Sequence, residues 1–242
     1  MKTSLRWLAA LAIAACLLPS HTAAQSPRPR ERHIDPELNV QDKADIWTME
    51  FDFIDPHMMT VDIPGRGKKV VWYLIYRLVN HTDAPHTVIP DFEMVVPDKG
   101  ITLNDEVLPS VQETIRERHD PTNRYNMQNS VTISRTPIPV TKPESAPRAI
   151  TGVAIFADVN DKARDLVDFR IFVSGISNGW SIDDEGKIRR KTLELKFKRL
   201  GDGTRVDNSE IRFDGSKWIY RFSSANVDLK PPASVQPAKE KK

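Results

Sequence analysis

The chain has 242 residues, 39% hydrophobic and 28% charged, with 35 lysines and arginines against 33 acids. Lys2 and Arg6 lie in an N-terminal stretch without acids, and once they are set aside the basic and acidic residues balance. A neutral chain has no global field to recruit nucleic acid or an anionic membrane.

Residues 1–24 follow the plan of a secretory signal peptide: a positive start at Lys2 and Arg6, an apolar run from Trp7 to Leu18, a break at Pro19, and small residues Thr22-Ala23-Ala24 before Gln25. The run is too short to span a bilayer as a helix, and no later segment is long and apolar enough. Cleavage between Ala24 and Gln25 is the first expectation, with an exported, periplasmic or extracellular product. The alternative is lipidation of Cys16, because Ile13-Ala14-Ala15-Cys16 resembles a bacterial lipobox; Leu17-Leu18-Pro19 then continues the apolar run where lipoproteins turn polar. Cys16 is the only cysteine. Cleavage after Ala24 leaves no thiol, which excludes cysteine nucleophiles, disulfides and thiolate metal sites together.

Gln25–Lys43 is proline-rich, charged and aperiodic and reads as a disordered leader. From residue 44 to residue 226 the dominant period is two. Trp47, Met49, Phe51 and Phe53 alternate with Thr48, Glu50 and Asp52 as a strand with one buried face. Val70–Val79 is apolar on both faces except at Arg77, the mark of a central strand. Thr87–Val96 is another strand, pushed toward an edge or bulge by Pro90. Leu108–His119 is the one helical piece, with Val111 and Ile115 four apart and Pro109 at its start. A short strand is expected at Val131–Ser134 and an apolar one at Ile150–Ala157, followed by a turn at Asp158–Asp161. Val167–Val173 and Leu193–Phe197 alternate again. Ile211–Phe213, Asp214-Gly215 and Trp218–Phe222 read as a hairpin, since Asp-Gly supplies the positive φ of a tight turn. Val227–Lys242 reads as a disordered tail. Many strands, turn signals between them and almost no helix predict an all-β, Ig-like antiparallel β-sandwich with one short helix.

Candidate sites are sparse. Two imidazoles and a carboxylate in Asn80-His81-Thr82-Asp83-Ala84-Pro85-His86 suit zinc with an open fourth position, so His81, Asp83 and His86 are the metal candidates, although the spacing matches no established site and a polar turn explains the segment equally. Asp55-Pro56-His57 is a similar case. Asp158–Lys162, Gly201–Asp207 and Ser181–Gly186 contain acids in turns, but each departs from the calcium-loop pattern. Lys187–Arg199 concentrates basic residues, which serve either a polyanion or the guarding of a sheet edge. Trp180 in a Ser-Asn-Gly-Trp loop could stack on sugar or cover the core. Asn80-His81-Thr82 matches the glycosylation sequon, which in a bacterial-type context implies no glycan. No Gly-x-Ser-x-Gly elbow, phosphate loop or dinucleotide fingerprint is present, and no cofactor is implied.

The ensemble Gly152-Val153-Ala154-Ile155-Phe156, Phe169–Trp180, Lys191-Thr192-Leu193-Glu194-Leu195 and Glu210–Phe213, together with Val71–Asn80, resembles exported proteins of unknown function common in planctomycete-type bacteria. The resemblance covers about two-thirds of the mature chain. It implies export and a sandwich, and no activity. The expected function is a non-enzymatic exported interaction module whose partner is an unknown protein or envelope component. The alternatives are a metal-dependent hydrolase on a sandwich scaffold and a carbohydrate-binding module.

When the full chain is expressed in a bacterial host, N-terminal sequencing should return Gln25, and Cys16→Ser should leave that result unchanged. A lipidated N-terminal Cys16, lost in the Cys16→Ser variant, would reverse the order of the two export routes.

Overall fold

The structure, a computed structural model, describes residues 31–201, 203 and 205–222. Residues 1–24, read above as a signal peptide, with the Ala24–Gln25 bond and Cys16, and residues 227–242, read as a tail, lie outside the described residues. Eleven strands form two antiparallel sheets: β1 (Glu31–Ile34), β2 (Glu50–Ile54), β3 (His57–Ile63), β4 (Gly67–Val79), β5 (Asp91–Val96), β6 (Ile101–Asn104), β7 (Ile150–Phe156), β8 (Asp168–Ser174), β9 (Trp180–Ile182), β10 (Ile188–Arg199) and β11 (Ile211–Arg221). Three helices, α1 (Pro109–His119), α2 (Ser130–Ile133) and α3 (Val159–Ala163), are all short. No helix among the described residues is long and apolar enough to cross a membrane.

In the first sheet β4 is the hub. Its 13 residues pair with β2 and β3 on one flank and with β7 on the other. The register with β2 and β3 differs by one residue, so β2 and β3 are one long strand offset at Asp55-Pro56, where proline has no N–H to give a ladder. β1 pairs with β2 at the sheet's edge. The second sheet runs β11-β10-β8-β5-β6, with β9 continuing the β8 flank of β10.

Alternation then assigns the faces. Phe51, Phe53, Trp72, Leu74, Tyr76 and Leu78 of the first sheet meet Phe92, Met94, Phe169, Ile171, Leu193, Leu195 and Phe197 of the second in one buried core. Phe169 stacks on Phe197 at 5.1 Å, and Trp72 meets Phe169 edge-on at 5.4 Å. The opposite face of the first sheet is also apolar: Met59, Val61, Val71, Tyr73, Ile75, Val153 and Ile155 form a second core with Val111 and Ile115 of α1. These two helix positions, four apart, are the ones that lie on one face of a 3.6-residue period. Pro109 opens α1, where its missing N–H costs nothing, and Arg116 and Arg118 occupy the last turn, where they complement the negative end of the helix dipole. Gly152 of β7 sits against the ring of Tyr76, and a Cβ there would fall 2.3 Å from it.

Three expected local elements are corrected. The Asp214-Gly215 pair is a bulge and not a hairpin turn. Gly215 opposes Lys196 while Phe213 opposes Phe197, which leaves Asp214 as the extra residue of an unbroken β11. Gly215 has φ +120°, so glycine relieves the strain of the bulge just as it would that of a turn. Val131–Ser134 is helical because Asn129 forms a reciprocal capping box with Thr132. Asp158–Asp161 leads into α3 and does not form a simple turn.

The described part of the leader is ordered. β1 completes the first sheet, and residues 35–45 run across the end of the sandwich. There Lys191, 1% exposed on the inner side of β10, donates to the Asp42 carboxylate at 2.5 Å and to the Glu37 carbonyl at 2.6 Å. Tyr220 donates to the other Asp42 oxygen at 2.5 Å, and the Trp218 indole to the Asp35 carbonyl at 3.0 Å. Burial pushes the Asp42 carboxyl upward, but the Lys191 ammonium and the Tyr220 hydroxyl outweigh it and hold it below the usual carboxylate range. Composition suggested disorder because these are polar residues; they are ordered because each has a buried partner more than 140 positions away.

Lys191→Met should cost about 3–5 kcal/mol in chemical denaturation, since it strands a buried carboxylate, and adding Asp42→Asn should recover most of the loss. Equal stability of parent and single variant would show that the clamp is idle.

Candidate functional site

The three sequence-predicted metal candidates do not converge. Asn80, fully buried, organises their loop: its amide donates to the carbonyls of Ala84 at 2.8 Å and Ile138 at 2.9 Å, and its oxygen accepts from the Thr82 backbone and hydroxyl. Asp83 is thereby turned to solvent. His86 stacks on Trp47 at 4.4 Å. His81 reaches away from both, to Glu50, with Nε2 2.8 Å from Oε2. Asn80 uses both side-chain atoms internally, which agrees with reading no glycan from its sequon.

His81 arrives instead at a group of side chains on the outer edge of the first sheet. His33 of β1 lies directly opposite Asp52 of β2, with Nδ1 2.6 Å from Oδ1. Glu50, two residues before Asp52 and so on the same face, brings Oε1 to 3.5 Å from the same nitrogen. Ligand atoms of His33, Glu50 and Asp52 all lie within 4.8 Å of one another. Arg77 of β4 pairs with Asp52 Oδ2 at 3.1 Å and with Glu31 at 2.9 Å. The hydrogen bond to Asp52, outweighing partial burial, raises the His33 imidazole above its ordinary value, with Asp35 and Glu50 adding to the effect. Sequence reasoning missed His33 because it sits in the polar leader. The alternation of Glu50 and Asp52 was visible, but nothing local shows which strand lies beside them.

Asp55 and His57 part company. Asp55 takes the Arg32 guanidinium on both oxygens. The His57 ring nitrogen Nδ1 donates to the Asp55 carbonyl at 2.6 Å. The His57 ring also meets His119 at the C-terminus of α1, 5.5 Å away and edge-on, and Tyr73 lies 2.9 Å from His119 Nε2. Burial lowers both imidazoles, that of His119 to about 4, and each is further disfavoured as a cation by the other or by Arg118. Both are therefore neutral at pH 7 and act as packing and hydrogen-bonding groups between α1 and the first sheet.

The acidic turns are filled by the protein's own cations. Lys69 donates to Asp158 at 3.0 Å and Asp161 at 2.7 Å, and the Trp72 indole donates to Asn160. Asp183 accepts the backbone N–H groups of Glu185 and Lys187 and pairs with Arg189. The loop after β10 closes on Arg199, 1% exposed, which donates to the carbonyls of Arg164 and Arg205 and to Glu210.

Five cations of the basic run Lys187–Arg199 are paired: Lys187 with Glu185, Arg189 with Asp183, Lys191 with Asp42, Lys198 with Asp214 and Arg199 with Glu210. Trp180, at the start of β9, is half-buried, and the Lys43 ammonium sits 3.3 Å over its ring. One face of the indole is thus already taken by a cation.

Among the described residues, no helix lies on the outward face of the second sheet. Glu93, Phe172, Glu194 and Lys217 form one row across β5, β8, β10 and β11. Arg170 and Lys217 hold Glu194 at 2.9 and 3.2 Å, while Arg221 lies 3.8 Å over the Phe172 ring and 3.0 Å from Glu93. The aliphatic stems of these cations cover the carboxylates, which is how Glu93 and Glu194 are buried on an open sheet face.

No known protein family, no curated protein and no solved structure matches this chain.

Because the folded His119 titrates near 4 against an ordinary 6.5, its contribution to stability is complete above pH 6.5 and is lost as the pH falls toward 4. His119→Gln should reduce the loss of melting temperature between pH 7 and pH 5, measured by scanning calorimetry, by a few degrees. An unchanged slope would remove His119 from this role.

Proposed function

We propose that this chain is an exported, non-enzymatic interaction module, and that it receives an extended segment of a partner protein on the outer edge of β11. Support for export comes from residues 1–24, with their positive start, apolar run and small-residue exit. Support for a binding role over a metal-dependent hydrolase comes from three of that reading's candidate residues: His57, His86 and Asp55 are each held in contacts that build the fold.

The observation that carries the proposal is an asymmetry among the sheet edges. β1 and β6 are four residues long, and β3, seven residues long, gives its Met58 N–H to the Asn208 side chain. The outer flank of β7 is partly covered by Gln128, whose N–H donates to Thr151 and whose carbonyl accepts from Val153. β11 is eleven residues long and pairs, among the described residues, with β10 alone. Its other flank therefore offers a row of backbone donors and acceptors. Strand addition at such an edge draws affinity from main-chain hydrogen bonds and selectivity from alternate side chains. Beyond the bulge, Lys217, Ile219 and Arg221 lie on the outer face beside any added strand.

A photo-crosslinking residue at position 217 or 219 should give one discrete envelope adduct in producing cells, and the same residue at position 66, in the β3–β4 turn, should not. Adducts equally strong from position 66, or none from β11, would overturn the assignment.

A further inference from the structure

We propose that His33, Glu50 and Asp52 are the ligands of a zinc ion that fastens β1 to the first sheet, with His81, Arg77 and Asp35 as the groups that orient them. The donor set is one imidazole nitrogen and two carboxylate oxygens, which suits zinc with a water as fourth ligand and disfavours the all-oxygen preference of magnesium and calcium. Metal–ligand bonds near 2.0–2.1 Å in a tetrahedron place ligand atoms about 3.3 Å apart. His33 Nδ1 and Glu50 Oε1 are already 3.5 Å apart, and the His33–Asp52 contact of 2.6 Å needs to open only slightly.

The outer contacts make the group more than a chance meeting of charges. Each ligand points one atom inward and has its other polar atom bonded to a further residue. His33 Nε2 is 3.0 Å from Asp35 Oδ1, which orients the ring, and Nδ1, hydrogen-bonded to Asp52 in this structure, would give up its proton to bind metal. Glu50 Oε2 is held by His81 Nε2 at 2.8 Å. Asp52 Oδ2 is held by Arg77 at 3.1 Å. A carboxylate behind the histidine and donors behind the carboxylates are the outer arrangement that orients metal ligands.

Charge argues the same way. Glu31, Asp35, Glu50 and Asp52 gather here, and among the described residues Arg77 is the one guanidinium paired with them, because Arg32 is engaged by Asp55. A dication would neutralise the surplus. The carboxylates are well placed to be desolvated, with the Asp52 and Glu50 side chains only 8% and 13% exposed, while the imidazole edge of His33, half exposed, leaves a path for the ion.

The site lies between the end of the polar leader and the clamp at Asp42, so its ion would tie the N-terminal segment to β2. This inference stands apart from the role of β11: failure of the crosslinking experiment leaves it untouched, and failure of zinc binding leaves the edge strand untouched.

The test uses the chain from Gln25 onward, stripped with chelator and titrated calorimetrically with zinc, with cobalt as a spectroscopic substitute. One zinc per chain is expected, together with a raised melting temperature and the visible absorption of tetrahedral cobalt. His33→Gln and Glu50→Gln should each weaken binding at least tenfold, and His81→Gln about tenfold as an outer residue, while His86→Gln should bind as the parent does. The melting temperature of each variant in chelator serves as the folding control, and His33, being half exposed, is the substitution least able to disturb it. Absence of zinc binding by the parent, or undiminished binding by His33→Gln, would overturn the proposal.

Discussion

A strand that is apolar on both faces must be covered twice, and β4 imposes that requirement on everything around it. Trp72, Leu74, Tyr76 and Leu78 turn toward the second sheet, while Val71, Tyr73 and Ile75 turn away from it. A two-layer sandwich satisfies only the first set. The second is satisfied by α1, the longest helix among the described residues, which brings Val111 and Ile115 down onto the outer side of the first sheet. The architecture is therefore a sandwich with a helix added on one side, and the reason lies in thirteen consecutive residues.

The second sheet solves the opposite problem. Its outer face has no helix among the described residues, yet Glu93, Thr192 and Glu194 there are almost fully buried. Long cationic side chains lie across the sheet and shelter carboxylates beneath their stems. The same device recurs at the ends of the sandwich, where Lys191 and Arg199, each 1% exposed, gather carbonyls and carboxylates from distant loops. In a chain whose sole cysteine lies at position 16, buried cations perform the loop-closing work that disulfides perform in many small exported domains. They also explain why clusters that suggested calcium or polyanion binding turn out to be internally neutralised.

The all-β class, the central position of β4 and the helix at Pro109–His119 were legible because each rests on a local period. Strand partners were not, and the errors follow from that gap. Asp214-Gly215 has the chemistry of a turn, but β10 is long enough to pair on both sides of it, so tertiary pairing converts the turn signal into a bulge. The leader looked featureless because its order depends on Lys191 and Tyr220, about 150 residues or more away. The site suffered similarly. His81 was singled out for the right side-chain chemistry, yet its partner is Glu50 on a neighbouring strand and not Asp83 or His86 in its own loop. Local spacing proposes ligands; sheet register chooses among them.

The Asp214 bulge also sets a ruler. On either side of it the inward and outward residues of β11 exchange parity: Ile211 and Phe213 face inward below it, Ser216 and Trp218 above it. A second polypeptide lying along this edge cannot stay in step through the change of phase. It is confined to the stretch from Ser216 to Arg221, about 20 Å of extended chain, long enough to recognise a short linear motif and too short to propagate an open-ended ribbon of copies.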